Sequence, residues 1–81
     1  MDAMFKQCEL TKTLQGGVAR MISWIPQEIA IAGAVVALKD SETGDRSTGW
    51  FIEHVGQAPL SGKILERQSR DYLRTRDASD V

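Results

Sequence analysis

The sequence has few of the residues from which catalytic and metal sites are usually built. It contains one cysteine, Cys8, and one histidine, His54, among 81 residues. A single cysteine cannot form an internal disulfide, and a zinc site needs more cysteine and histidine ligands than this. Free cysteines are commonly buried, so we interpret Cys8 as a small, partly buried hydrophobic residue in a reducing compartment, with a reactive thiol as the alternative. We expect neither a metal site nor a cofactor.

A catalytic constellation is also missing. A chain of this length rarely builds both a core and a deep pocket, and His54 has no evident partner that would make it a general base. The acidic residues of the polar loop, Asp40, Glu42 and Asp45, lack the spacing of a calcium loop and are interpreted as solvated. We therefore expect that the protein is not an enzyme.

Long apolar stretches are absent as well. The longest one, Ile29 to Leu38, has about ten residues and contains Gly33, whereas a membrane-spanning helix needs about twenty. The first residues, Met-Asp-Ala-Met-Phe-Lys, lack the basic and then apolar pattern of a secretory signal. We expect no membrane segment and a cytoplasmic location.

The charge is nearly balanced overall but unevenly distributed. Ten basic and eleven acidic residues give a net charge of −1, which argues against a uniformly basic nucleic-acid binder. Residues 63–76 carry five basic and two acidic side chains, whereas residues 1–62 carry five basic and seven acidic ones. A basic surface confined to the C-terminal part is compatible with this distribution.

The hydrophobic pattern predicts short strands followed by one helix. Alternation favours strands over 4–10, 18–25, 34–38 and 50–55, with the Gly16-Gly17 pair marking a hairpin turn. From Ser61, which can cap a helix, the pattern predicts a helix to about Thr75. We expect a mainly β fold with a C-terminal helix (α+β), a small SH3-like antiparallel barrel of four to five strands. Residues 1–76 would form a single domain, with strands over about 4–58 and a helix over about 62–75, and 77–81 would be a frayed tail.

The predicted helix carries a stripe of basic residues. Its four cations are spaced four, three and four apart, which places them within about 60° on one helix face: Lys63, Arg67, Arg70 and Arg74. Leu65 and Tyr72 lie nearly opposite and would pack on the barrel. The basic stripe could bind phosphates or an acidic patch on a protein, or it could be a solvated face.

The two tryptophans are the other candidate binding residues. In an SH3-like barrel, exposed aromatic side chains near the loops often form a shallow groove for peptides or stacked bases. Trp24 and Trp50 could form such a groove. They could equally fill the core of a small domain that has only five aromatic residues.

Several sequence segments resemble a group of small proteins encoded in tailed-bacteriophage genomes. The resemblance covers about residues 20–81 and rests on Ser-Trp-Ile-Pro at 23–26, Gly33 before Val-Val-x-Leu-Lys at 35–39, Gly-Trp-x-Ile-x-x-Val-Gly at 49–56, Glu-Arg-x-Ser-Arg-Asp-Tyr at 66–72 and Arg-x-Ala-Ser-Asp at 76–80. It implies a phage origin and expression in the cytoplasm of a bacterial host. It implies no particular activity, and the insertion from Ser41 to Ser47 departs from shorter relatives.

These observations favour a non-catalytic binding module. We expect a phage accessory protein that binds a host or phage protein, with a nucleic-acid-binding protein that uses the basic stripe as the alternative. Self-association is a further expectation, because Val18–Ile25 and Ala34–Leu38 carry apolar residues on both faces.

Overall fold

The first two strands form a regular hairpin. A computed structural model of the chain describes residues 3–39, 43–68 and 78–80. Strands β1 (Met4–Leu14) and β2 (Gly17–Pro26) are antiparallel, with an unbroken register from Phe5–Pro26 to Leu14–Gly17. The turn between them ends at Gly16, whose φ of 92° suits the third position of a type II turn. The predicted hairpin is present, and its ladder continues through residues 11–14 to the turn.

The second pair of strands is also longer than the alternation predicts. Strands β3 (Val35–Lys39) and β4 (Arg46–Val55) are antiparallel. We expected the second of these strands to begin at Trp50, yet the polar residues Arg46 and Ser47 already pair with Lys39 and Leu38. Backbone hydrogen bonding extends this ladder where side-chain alternation is lost.

The C-terminal elements are short. They are β5 (Leu60–Ser61), α1 (Gly62–Gln68) and β6 (Ser79–Asp80). The helix is capped as predicted, because the Ile64 N–H donates to Ser61 Oγ at 3.3 Å. The predicted continuation to Thr75 lies outside the described residues. The expectation of a frayed end does not hold for Ser79 and Asp80, because they pair with Ala37 and Val36 of β3.

The strands form one open antiparallel sheet in the order β2-β1-β4-β3-β6, and β5 pairs with β1. Both β4 and β5 lie along the same edge of β1, which places Val55 opposite Cys8 and Leu60 opposite Phe5. A mainly β fold with a small antiparallel sheet and a short C-terminal helix, as predicted, is confirmed. The sheet is open, with β2 and β6 at its two ends, and it is consistent with the small barrel-like fold that the sequence predicts.

The buried side chains form two clusters. The main cluster lies on one side of the sheet, which we call the inner face, and includes Cys8, Leu10, Ile25, Ala30, Val36, Leu38 and Ile52. The smaller cluster joins Phe5 to Leu65 of α1, with Trp24 and Leu60 packed against it. The helix is therefore attached to the sheet chiefly through Leu65.

Candidate functional site

Among the described residues, few pack on the side of the sheet opposite the main core. Along β1, Glu9 and Thr13 are exposed between inward-facing residues, and Thr11 shares their side of the strand. Cross-strand partners share a face of a sheet, so the register identifies the neighbours of these residues. We define the outer face as Glu9, Thr11, Thr13, Val18, Arg20, Ile22, Val35, Phe51, Glu53 and His54.

Large apolar side chains are exposed on the outer face. The exposed fraction is 55% for both Val18 and Ile22, 41% for Val35 and 39% for Phe51. Val35 and Phe51 are direct cross-strand partners, and Phe51 is also paired with Thr11. An exposed apolar group rimmed by polar residues is typical of an interaction surface.

Two neighbouring depressions share the centre of the outer face. Their volumes are about 430 and 630 Å³, and Thr11 and Glu53 line both of them. Ile22 lines the smaller depression and Phe51 the larger one. The Thr11 hydroxyl donates a hydrogen bond to Glu53 Oε1 at 3.3 Å, which fixes the carboxylate between the two depressions.

The centre of the outer face is more acidic than basic. Glu9, Glu53 and Arg20 all line the smaller depression, so two carboxylates face one guanidinium. The register between β1 and β4 shifts between Glu9 and Leu10, where Glu9 pairs with His54 and Leu10 with Ile52. This bulge leaves Glu53 as the extra residue and brings it beside Thr11.

The helix covers one end of the same side of the sheet. Phe5 and Leu65 are 4% and 1% exposed and contact each other in the smaller cluster. Phe5 and Glu9 are both odd-numbered residues of β1, so they lie on the same face of the strand, with Phe5 nearer its N-terminal end. The outer face therefore begins where the helix contact ends.

The structure places the two tryptophans in different clusters. Both are partly buried, Trp24 against the smaller cluster and Trp50 against the main core. The Trp50 indole N–H donates to Ser47 Oγ at 2.9 Å, and Lys12 Nζ lies 5.9 Å from the ring centroid. Both tryptophans thus contribute to packing, each against a different cluster.

The basic stripe is described only in part. Lys63 and Arg67 are exposed on α1, one turn apart, as the spacing predicts. Arg70 and Arg74 lie outside the described residues, as do Asp40 and Glu42 of the polar loop. Across the ranges given above, no group of three His, Cys, Asp or Glu residues is placed to hold a metal ion.

The buried cysteine is shielded from solvent. Cys8 is 1% exposed, and its thiol donates to the Lys6 carbonyl oxygen at 3.6 Å. Burial raises the pKa of the Cys8 thiol from 9.0 to about 11, against the opposing charge of Lys6. The side chain belongs to the core and is poorly suited to act as a nucleophile.

We expect Cys8 to react slowly with an aromatic disulfide reagent at pH 8. The raised pKa reduces the thiolate fraction by about 100-fold relative to an unfolded chain, and burial restricts access further. The same shift makes the folded thiol hold its proton more tightly. Its contribution to stability is therefore present below pH 9 and is lost as the pH rises towards 11. The rates at which Cys8 is labelled in buffer and in urea measure the protection of the thiol, and equal rates would contradict it.

Sequence reasoning did not identify the outer face. Its members come from four strands, and only the register and the bulge at Glu53 bring them together. The sequence signal that could have indicated it is the pair of apolar residues Phe51 and Val35. Each directly precedes a core residue in its strand and therefore lies on the opposite side of that strand.

Comparison of the chain with protein-family models, curated proteins and solved structures found no match. Among the helical residues that are described, no helix is long and apolar enough to cross a membrane.

Proposed function

We propose that this protein is a non-catalytic module that binds another protein through the outer face. The observation that carries the proposal is the group of exposed apolar side chains around the Thr11–Glu53 hydrogen bond, on the side of the sheet that the main core does not use. The resemblance to phage-encoded proteins supports a host or phage protein as the partner, bound in the cytoplasm of a bacterial host.

The chemistry of the outer face suggests what the partner presents. Phe51 and Ile22 offer apolar contact area, and Glu9 and Glu53 place two carboxylates between them. A segment with an apolar side chain beside a lysine or arginine would complement both features. Arg20, on the rim of the same depression, would select against a second cation there.

Nucleic acid is a less suitable ligand for this surface. Phosphates would meet the carboxylates of Glu9 and Glu53 at its centre, and this contact is repulsive. The feature that favours nucleic acid is the exposed pair of Lys63 and Arg67 on α1. The two functions therefore use different surfaces and can be separated by mutation.

The test is affinity capture from bacterial lysate with three immobilised variants. Phe51→Glu is expected to reduce capture of the protein partner by at least about 30-fold, the effect of losing a strong interface residue. Ile64→Glu is the matched control, because Ile64 is 43% exposed but lies on α1. Lys63→Glu/Arg67→Glu reverses the described part of the basic stripe and should leave capture unchanged.

Nuclease treatment and salt distinguish the two kinds of ligand. A protein complex centred on apolar contacts should survive nuclease treatment. Its affinity should fall little between about 50 and 200 mM salt, whereas the affinity of a nucleic-acid complex falls steeply over this range. Loss of all captured material after nuclease, or with the Lys63/Arg67 variant but not with Phe51→Glu, would overturn the proposal.

A further inference from the structure

The two ends of the sheet differ in how their open edges are protected. At one end, the two-residue strand β6 covers part of β3. At the other end, β2 runs for ten residues in an unbroken register with β1, and no described strand pairs with its far side. Natural proteins usually protect such an edge with bulges, prolines or charges. In β2 the proline stands at the last position, and Arg20 is the single charged residue.

The hydrogen-bonding phase of β2 follows from its neighbours. The Met4 carbonyl accepts the Gln27 N–H, whereas the Gln7 carbonyl accepts the Gly56 N–H. The backbone groups of the even-numbered residues of β1 therefore bond to β2, and those of the odd-numbered residues bond to β4. Since Leu14 pairs with Gly17, the odd-numbered residues of β2 bond to β1. The backbone groups of Val18, Arg20 and Ile22 point to the open edge.

The sequence of β2 is complementary to itself in an antiparallel register centred on Met21. Pairing Arg20 with Ile22 of a second copy places Val18 opposite Trp24 of that copy, a combination of β-branched and aromatic residues that stabilises sheets. Glu9 is the β1 neighbour of Ile22, so Arg20 lies two strand spacings, about 10 Å, from Glu9 of the second copy. This distance is within reach of the two long side chains. Of the two neighbouring registers, the one centred on residue 20 would oppose Arg20 to Arg20, and the one centred on residue 22 would move Arg20 away from Glu9 of the second copy.

We infer that β2 pairs with β2 of a second copy of this chain, about a two-fold axis at Met21, and forms a continuous sheet across a homodimer. The pairing brings Trp24 and Arg20 of the second copy against the flanks of Val18 and Ile22, each 55% exposed in the single chain, and leaves both side chains on the outer face. Two opposite charges, Arg20 and Glu9, meet across the axis on each side. The dimer shares Glu9, Arg20 and Ile22 with the outer face, whereas Phe51 and Val35 stay open to a partner. Phe51→Glu therefore tests the proposed function without changing the dimer edge.

The first test is the oligomeric state in sedimentation equilibrium. The wild-type chain should have about twice its mass of 9.0 kDa. Ile22→Lys places a cation opposite Arg20 of the second copy on each side of the axis, and this like-charge repulsion should raise the dimer dissociation constant by about 10-fold or more. Val35→Lys is the matched control, because Val35 is an exposed apolar residue on β3, away from the edge. Circular dichroism of both variants verifies that the fold is retained.

The second test reports the register through oxidation of single added cysteines. Met21→Cys should form a disulfide-linked dimer, because residue 21 faces its own copy at a Cα separation of about 4.5 Å. Arg20→Cys and Ile22→Cys report the two neighbouring registers and should cross-link poorly, and buried Cys8 should not compete. A monomeric wild-type chain, stronger dissociation with Val35→Lys than with Ile22→Lys, or preferential cross-linking at position 20 or 22 would overturn the inference.

Discussion

Leu10→Ala is expected to lower the free energy of unfolding by about 2–5 kcal/mol. Leu10 is fully buried in the main core, between β2 and β4, where it pairs with Met21 and Ile52. Truncation removes three carbon atoms from contact with these neighbours and leaves a cavity that a three-stranded arrangement fills poorly. A domain of this size has little stability to lose, so the loss should be visible as a large shift of the urea midpoint.

Leu14→Ala is the matched control for this substitution. It changes the same residue type in the same strand, at a position that is 49% exposed. We expect a change within about 0.5 kcal/mol, as for other surface positions. Equal losses for the two variants would show that the main core is not organised around β1.

Leu65→Ala is expected to have an effect of similar size, about 2–5 kcal/mol, through a different part of the fold. Leu65 is 1% exposed and is the buried residue of α1 that contacts Phe5. A helix of seven residues has little stability of its own, so this contact holds it on the sheet. Amide hydrogen exchange should accelerate in α1 more than in β1 and β2.

The control for the helix contact is the neighbouring residue. Ile64 is 43% exposed, and Ile64→Ala should change stability little. If exchange in α1 were unaffected by Leu65→Ala, or equally affected by Ile64→Ala, the attachment of the helix through Leu65 would be wrong.

The local parts of the fold could be predicted from the sequence. The Gly16-Gly17 turn and the alternation around Cys8 and Ile25 predict a hairpin, because both signals lie close together in the chain. Ser61 predicts the start of α1 because a helix cap is also a local feature. The ends of the strands were harder to predict, since Arg46 and Ser47 are held in β4 by their partners on β3 and not by a hydrophobic pattern of their own.

The long-range parts could not be predicted in the same way. Ser79 and Asp80 have nothing apolar to signal a strand, and they gain their structure from the edge of β3. The position of Glu53 on the outer face depends on a one-residue bulge, and the roles of Trp24 and Trp50 depend on which cluster each one reaches. Such features follow from the register of distant strands.

The most direct test of the proposed binding surface is a chemical-shift map. The ¹⁵N-labelled chain would be titrated with the bacterial protein that it captures from lysate. We predict that the largest amide shifts occur at Thr11, Ile22, Phe51 and Glu53. Shifts confined to Lys63 and Arg67 on α1, with the outer face unchanged, would contradict the account.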